Sequence, residues 1–314
     1  MTPSPFHNAL ILTGPTASGK SALALELAER LGAEIVLADS MTLYRGMDIG
    51  TAKPTAADRA RVPHHLIDVL DPWESASVAW WLDRAVACVA DIERRGARAL
   101  IVGGTPFYLK ALACGLFPSP PADRALRAKL EGEAETNGPA WLHARLAQID
   151  AATAARLHPN DIRRVVRALE VWHLTGTPIS VWQRQGWWGS DPPQFRSGAC
   201  LAVDIPRPQL YDRINQRVEL MVAAGWVDEV RRLRELPTPW SREAAQALGY
   251  REIGEYVDGR RGLADTVAEI QLRTRQYAKR QLTWFRGLPG CEFCDAKLTF
   301  ARWADTMAGS FAAG

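Results

Sequence analysis

The chain has no long apolar run. The longest, such as residues 9–12 and 99–102, fall far short of the roughly 20 residues that a membrane helix needs. Residues 1–14 also lack the charged region and the cleavage site of an export signal. We therefore expect no membrane partner and a cytoplasmic location.

Cysteine is scarce, and no histidine follows His173. The five cysteines are odd in number and scattered, which favours a reduced compartment over a disulfide framework. Cys291 and Cys294 form a CxxC pair, but structural zinc would need two further ligands nearby, so a zinc site is disfavoured. The net charge is only +3, so a nucleic-acid partner has to be inferred from where cations cluster.

Short apolar runs alternate with helical patterns in the first third of the chain. Residues 9–13 predict a strand, 18–31 a helix, 33–38 a second strand, 77–95 a helix and 99–102 a third strand. Such alternation predicts an α/β fold with a doubly wound parallel sheet. Its ligand site is expected at the carboxyl ends of the strands.

The middle of the chain has a different pattern. Residues 123–176 show helical periodicity without a strand, and residues 176–197, rich in Gly, Pro and Trp, are typical of a linker or mobile loop. We therefore predict a helical insertion at 121–197 within a core domain made of 1–120 and 198–314.

The pattern returns to strand and helix after the insertion. Residues 199–205 predict a further strand of the same sheet. Helices are predicted at 211–235, 241–258 and 266–286, and the chain is expected to fray from residue 309.

The clearest motif is G-x-x-x-x-G-K-[ST], placed between the first strand and the first helix. In this pattern backbone N–H groups surround a phosphate, the lysine adds a positive charge, and the last hydroxyl can hold Mg²⁺. The core is therefore predicted to be of the P-loop type. Its phosphate-binding residues are Gly14, Pro15, Thr16, Ala17, Ser18, Gly19, Lys20 and Ser21, with Ser21 as the metal ligand.

A phosphate loop alone does not distinguish a kinase or an ATPase from other transferases. The third strand ends in Gly103, Gly104 and Thr105 rather than in the acidic magnesium ligand of a nucleotide hydrolase. Asp39 instead follows the second strand, where it could assist magnesium, accept a proton or cap a turn.

Further motifs follow in order along the chain. They are DSM at 39–41, YRGMDIGTAKP at 44–54, VGGT at 102–105, HPND at 158–161, YDRINQRV at 211–218, GYRE at 249–252 and KRQLTWFR at 279–286. Together with the phosphate loop, these motifs resemble those of the bacterial tRNA dimethylallyltransferases over nearly the whole chain. One departure is Thr42, at a position where the family often has glutamine.

The resemblance implies transfer of a dimethylallyl group from dimethylallyl diphosphate to N6 of adenine 37, beside the anticodon of tRNA, with release of diphosphate. It implies Asp39 as the general base, Thr105 as a hydrogen-bond donor to the diphosphate and Arg217 as a clamp on it. Mg²⁺ is the expected counterion. Without the resemblance, Thr105 could cap the next helix and Arg217 could be a solvated arginine.

The resemblance also implies that the anticodon stem-loop lies across the helical insertion and the C-terminal helices, with the adenine extruded into a channel. Taken alone, the arginines at 163–167 would more often be a solubilising helix face. The residues expected at tRNA are Asp39, Ser40, Met41, Thr42, Arg163, Arg164, Val165, Val166, Arg167, Ala247, Leu248, Gly249, Tyr250, Arg251, Glu252, Lys279, Arg280 and Arg286.

Two other functions are compatible with the phosphate loop. A small-molecule kinase would turn over ATP without RNA. A nucleotide-switched RNA-binding module would bind Mg-ATP and RNA without forming a product. Neither these functions nor the resemblance implies an obligate protein partner.

Overall fold

The structure is a computed structural model that describes residues 4–117, 120–184, 195–295 and 303. The chain divides into two compact units, one made of residues 1–113 and 193–314 and the other of residues 114–192. The sequence prediction places the domain boundaries at 120/121 and 197/198. Of the helices described, none combines the length and the apolar composition that a bilayer crossing requires.

The first unit contains a six-stranded sheet in the order β3-β2-β4-β1-β5-β6, in which every neighbouring pair is parallel. This topology confirms the predicted doubly wound parallel sheet. Its strands are β1 Leu10–Thr13, β2 Ala33–Leu37, β3 His64–His65, β4 Arg98–Gly103, β5 Cys200–Val203 and β6 Cys291–Cys294.

The central strands are short apolar runs, buried along their whole length, as expected where helices cover both faces of a sheet. The register pairs Thr13 with Gly103 on one side and with Ala202 on the other. The Thr13 hydroxyl fixes this edge by donating a 2.8 Å hydrogen bond to the Gly103 carbonyl. The segments that follow β1, β4 and β5 therefore begin side by side.

The two edge strands were not predicted. β3 has only two residues, and β6 is the CxxC segment, whose Cys291 pairs with Cys200 and whose Cys294 pairs with Val203. An edge strand of two to four residues with partly exposed side chains carries too little periodicity to be recognised. The predicted fraying from residue 309 lies outside the described residues.

Among the described residues of this unit, eight α-helices and one 3-10 turn pack on or around the sheet or lead from it. They are α1 Lys20–Leu31, α2 Ala56–Arg61, α3 Val78–Arg94, α4 Pro106–Cys114, α10 Arg207–Ala223, α11 Trp226–Arg234, α12 Tyr250–Val257, α13 Leu263–Arg286 and a 3-10 turn at Ala244–Gln246. The single helix predicted at 211–235 is wrong, because Gly225 (φ 98°) ends one helix and begins another. The helix predicted at 241–258 is likewise interrupted before Gly249 (φ 90°). Left-handed backbone at these glycines cannot continue an α-helix.

Helices are the only regular secondary structure in the described residues of the second unit. Its helices are α5 Arg124–Asn137, α6 Pro139–Ile149, α7 Ala151–Ala154, α8 Ile162–Thr175 and α9 Ile179–Arg184. They enclose a separate core that includes Leu142, Leu146 and Leu169. Helix α9 corrects the prediction of a linker from residue 176, because Ile179 is buried in that core. Residues 185–194 lie outside the described part of the chain.

Candidate functional site

The phosphate loop joins β1 to α1 and has the backbone that its glycines permit. Gly14 has φ 150°, and a Cβ built there would lie 2.9 Å from the Ser18 Oγ. Gly19 has φ 92° and immediately precedes α1, so it directs the free amides of the first turn towards the loop. The Ser18 hydroxyl is buried and has no partner among the described residues. The loop thus combines amide donors with an unused hydroxyl, as an anion site requires.

Two cations, Lys20 and Arg217, lie within the electrostatic reach of Asp39. Burial lowers the pKa of Lys20 to about 8; Asp39 opposes this shift and Arg217 adds to it. Burial also lowers the pKa of Arg217 below its ordinary value, with Asp39 again opposing. Within the described residues neither cation makes an ion pair or a hydrogen bond. Two desolvated positive charges thus share one carboxylate, and an anion bound here would compensate the remaining charge.

Asp39 lies two residues beyond the end of β2 and is half-buried. Its Oδ1 accepts a hydrogen bond from the Met41 amide at 2.9 Å, and its carbonyl accepts one from the Thr42 hydroxyl at 3.2 Å. The carboxylate therefore does cap a turn, as one interpretation of the sequence suggested. One oxygen occupied in this way orients the carboxylate and leaves Oδ2 to accept a proton or face a metal.

Gly103 is the last residue of β4, and Gly104 and Thr105 turn the chain into α4. A Cβ on Gly103 would overlap the carbonyl of Ala38, the residue before Asp39. The Thr105 amide donates to that same carbonyl at 3.2 Å, and the Thr105 hydroxyl accepts from the Ser40 amide at 3.0 Å. The segment after β4 therefore holds the Asp39 segment in place. The Thr105 hydroxyl takes part by hydrogen bonding to the segment that follows β2.

Sequence analysis missed Gln281, which is buried and belongs to α13. Its Oε1 accepts from the Thr16 amide of the phosphate loop at 2.9 Å, and its Nε2 donates to the Gly104 carbonyl at 2.7 Å. A Cβ on Gly104 would lie 2.7 Å from that Nε2 and 3.4 Å from the Lys20 Nζ. The available signal was a polar residue on the buried face of α13, between Ala278 and Phe285.

Helix α10 supplies two arginines to the phosphate loop. An Arg213 nitrogen donates to the Ser18 carbonyl at 3.4 Å, and a Cβ built on Gly19 would lie 3.6 Å from that nitrogen. Arg217 is one helical turn further on, on the same face, and is half-buried. The structure therefore brings together the predicted catalytic residues Asp39, Thr105 and Arg217 with the loop from Gly14 to Ser21.

The predicted tRNA residues of the first unit differ in exposure. Ser40 and Met41 are half-buried beside Asp39, whereas Thr42 is buried. Lys279, Arg280 and Arg286 are exposed on α13. Lys279 and Arg280 border a groove that is also lined by Gln276, Thr283 and Trp284.

The segment around the start of α12 is mostly internal. Ala247, Gly249, Tyr250 and Glu252 are buried, Leu248 is half-buried and Arg251 is exposed. Glu252 caps its own helix, because its Oε2 accepts from the Gly249 amide at 3.0 Å. Arg251 is therefore the exposed residue of this segment, and the buried residues around it pack in the interior.

The arginines predicted on α8 belong to the helical unit and differ in their exposure and in their partners. Asp161 caps the helix by accepting from the Arg164 amide, and Arg163 and Arg164 are exposed. Arg167 instead donates to the buried Glu170 at 2.5 Å and to the Pro120 carbonyl at 2.9 Å. Val165 and Val166 are in the core, so their side chains have no surface to offer RNA.

A protein-family comparison matches residues 42–288 to the family described as IPP transferase, and residues 7–64 to the family described as isopentenyl transferase. A tRNA dimethylallyltransferase of Geobacter metallireducens is 50% identical over 277 residues, which cover 88% of this chain and 89% of the relative. One of Stenotrophomonas maltophilia is 47% identical over 285 residues, covering 89% of each chain.

Solved structures show the same fold. The tRNA isopentenylpyrophosphate transferase of Bacillus halodurans superposes with a TM-score of 0.68 at 38% identity, covering 96% of both chains. A eukaryotic dimethylallyltransferase acting on tRNA gives a TM-score of 0.77 at 27% identity, covering 92% of this chain and 74% of that one. Since the agreement extends from the phosphate loop to α13, the chain belongs to the IPP transferase family of prenyltransferases, whose curated members include the tRNA dimethylallyltransferases.

Proposed function

We propose that this protein transfers a dimethylallyl group from dimethylallyl diphosphate to N6 of adenine 37, next to the anticodon of tRNA, and releases diphosphate. The observation that carries the proposal is the pair of desolvated cations, Lys20 and Arg217, that share Asp39 beside the phosphate loop. A leaving diphosphate gains negative charge as it departs, and fixed positive charges in a desolvated site stabilise it best. The names of the curated relatives support the same reaction.

The reaction forms one bond and breaks one. The N6 nitrogen of the adenine attacks the allylic carbon, and the carbon–oxygen bond breaks with its electron pair leaving on the diphosphate. The N6 proton passes to Asp39, whose Oδ1 is already oriented by the Met41 amide. Lys20, Arg217 and the amides of the phosphate loop hold the diphosphate, with the Ser18 hydroxyl available as a further donor.

Mg²⁺ fits the residues present. Ser21, in the first turn of α1, is exposed and offers one hydroxyl oxygen. The described residues hold no group of three acidic, histidine or cysteine side chains that would bind a metal alone. That set suits Mg²⁺, which prefers one or two protein oxygens together with substrate phosphates and water. When bound, the ion would supply further charge neutralisation to the diphosphate.

For tRNA, we propose contacts by the exposed cations Lys279, Arg280 and Arg286 of α13, by Arg251, and by Arg163 and Arg164 of the helical unit. Exposed arginine and lysine on helix faces bind phosphates without reading sequence. The half-buried Ser40 and Met41 lie beside Asp39 in the chain and so line the place where the adenine must enter. Thr42, buried against the Asp39 carbonyl, offers the base no amide.

The deciding experiment is incubation with Mg²⁺, dimethylallyl diphosphate and tRNA, followed by mass analysis of the nucleosides. Dimethylallyl adenosine is expected with an unmodified tRNA and is expected to be lost when adenine 37 is replaced by guanine. ATP turnover without RNA would instead support a small-molecule kinase. Binding of Mg-ATP and RNA with no product would support a nucleotide-switched RNA-binding module.

A further inference from the structure

Glu229 of α11 is a buried carboxylate that accepts four hydrogen bonds. Its Oε2 accepts from the amides of Asp48 and Ile49 at 2.9 and 2.7 Å. Its Oε1 accepts from the Gly50 amide at 3.3 Å and from the Tyr250 hydroxyl at 2.6 Å. The residue is 2% exposed. Burial and the nearby Glu229 raise the pKa of Tyr250 well above its ordinary value, so its hydroxyl stays a donor.

The same face of α11 contacts the 48–50 segment and its neighbours at two further points. A Cβ on Gly50 would overlap the Trp226 indole, and a Cβ on Gly46 would lie 3.3 Å from Leu233. Trp226, Glu229 and Leu233 are spaced by three and four residues, so they share one face of the helix. Gly249, just before α12, is packed equally tightly against Trp226. One helix face therefore fixes both the segment after Asp39 and the segment before Arg251.

Hydrogen-bonded turns connect this clamp to Asp39. The Met41 amide is bound to the Asp39 carboxylate, the Tyr44 amide to the Met41 carbonyl and the Met47 amide to the Tyr44 carbonyl. The last two bonds are 3.4 Å long, and the same stretch is also bonded to residues 68–70 through the backbone of Thr42, Leu43 and Arg45. The far end of this stretch is bound to Glu229, which accepts a hydrogen bond from the Asp48 amide.

We infer that Glu229 is a positioning residue for the tRNA side of the reaction. Through the amides of residues 48–50 and the Tyr250 hydroxyl, it sets the segment that carries Asp39, Ser40 and Met41 relative to Arg251. The diphosphate side is held separately by the loop, by Gln281 and by Arg217, so it does not depend on this clamp. The inference rests on the proposed function and adds to it a residue that touches neither substrate.

The test compares Glu229→Gln with wild type. Glutamine keeps the size but replaces one acceptor oxygen with a donor, which leaves at least one of the four hydrogens unpaired. We expect kcat/KM for tRNA to fall by roughly 10- to 100-fold, because small displacements of reacting groups have effects of that size. Dimethylallyl diphosphate affinity is expected to stay within about twofold of wild type, since its ligands are anchored elsewhere.

A matched control is Glu34→Gln. Glu34 is another buried carboxylate of the same unit, bonded to Arg95 and His65, but it lies in β2 at the opposite end from Asp39. Both variants are expected to lower the melting temperature, and only Glu229→Gln is expected to change the tRNA kinetics. Equal tRNA kinetics in the two variants would overturn the inference. The wild-type product assay tests the proposed function independently of this comparison.

Tyr250→Phe gives a second, milder test should Glu229→Gln fail to fold. It removes one of the four hydrogen bonds and keeps the ring that packs edge-on against Trp226 at 5.7 Å. A fall of a few-fold in kcat/KM for tRNA, with unchanged diphosphate affinity, is expected. An unchanged kcat/KM for tRNA, or an equal loss of diphosphate affinity, would contradict the positioning role.

Discussion

Gln281 is hydrogen-bonded to Thr16, 265 residues earlier in the chain, with 2.9 Å between Oε1 and the amide nitrogen. Its amide group also donates to the Gly104 carbonyl at 2.7 Å. One side chain of the last described helix thus connects the phosphate loop to the turn after β4. The shape of the proposed diphosphate site therefore depends on α13 as well as on the loop motif.

Gln281→Leu is expected to weaken dimethylallyl diphosphate binding by roughly 10- to 100-fold. The substitution leaves the Thr16 amide without its partner, at about 1–3 kcal/mol, and removes the shorter of the two hydrogen bonds to the Gly104 carbonyl, which also accepts from the Tyr277 hydroxyl at 3.5 Å. Titration calorimetry measures the affinity. Gln276→Leu makes the same change on the exposed face of the same helix and is expected to leave the affinity unchanged. Equal affinities in the two variants would contradict the role of Gln281.

Asp39→Asn separates proton acceptance from turn capping. Asparagine can still accept from the Met41 amide, but it cannot take the adenine proton. We expect the rate of a single turnover to fall by roughly a hundred- to ten-thousand-fold, about 3 to 5 kcal/mol of barrier, with both substrates bound nearly as in wild type. Weaker diphosphate binding would indicate a magnesium role instead. A rate within a few-fold of wild type would make Asp39 structural.

The diphosphate affinity is expected to depend on pH through Lys20. Because burial lowers the pKa of Lys20 to about 8 in the free protein, raising the pH through that value removes a positive charge from the site. Affinity is therefore expected to be constant well below pH 8 and to fall above it, by at most about tenfold per pH unit for one proton. Calorimetry over this range measures the effect. Lys20→Met is expected to bind weakly at every pH without an inflection near 8, and an inflection that persists would implicate another group.

Arg163→Ala combined with Arg164→Ala is expected to weaken tRNA binding and to lower the slope of log affinity against log salt concentration by about one to two units. Diphosphate affinity is expected to be unaffected. Arg61→Ala with Arg94→Ala removes the same charge from exposed positions in the last turns of α2 and α3, and it controls for net charge. An unchanged slope in the α8 variant would make these arginines a solvated face.

Arg167 was grouped with Arg163 and Arg164 in the sequence analysis, but its substitution is expected to have a different effect. It shares the fully buried Glu170 with Arg127. Arg167→Ala removes one of the partners of a buried carboxylate, so its first effect is expected on the melting temperature. Helical spacing alone placed the three arginines in one group. It did not show that Arg167 pairs with the buried Glu170, three residues further along the helix.

The sequence was sufficient for features that depend on a few consecutive residues. The phosphate loop, the strands β1, β2, β4 and β5 and the cap at Asp161 are of this kind, because glycine conformations, apolar runs and capping side chains act locally. The breaks at Gly225 and Gly249 were missed because the flanking residues keep a helical apolar pattern through them. Gln281 and Glu229 could not be assigned a role locally, since their partners lie far away in the chain.

The two sides of α13 impose a constraint on chain length. Lys279 and Arg280 are exposed while the next residue, Gln281, is buried against the phosphate loop. An α-helix turns by about 100° per residue, so inserting or deleting a single residue just before Lys279 would rotate the cations inward and carry the amide away from Thr16. A substitution on the exposed side changes only that position. A change of length within this helix would instead move residues on both the exposed and the buried face. Insertions are therefore confined to the connections outside α13.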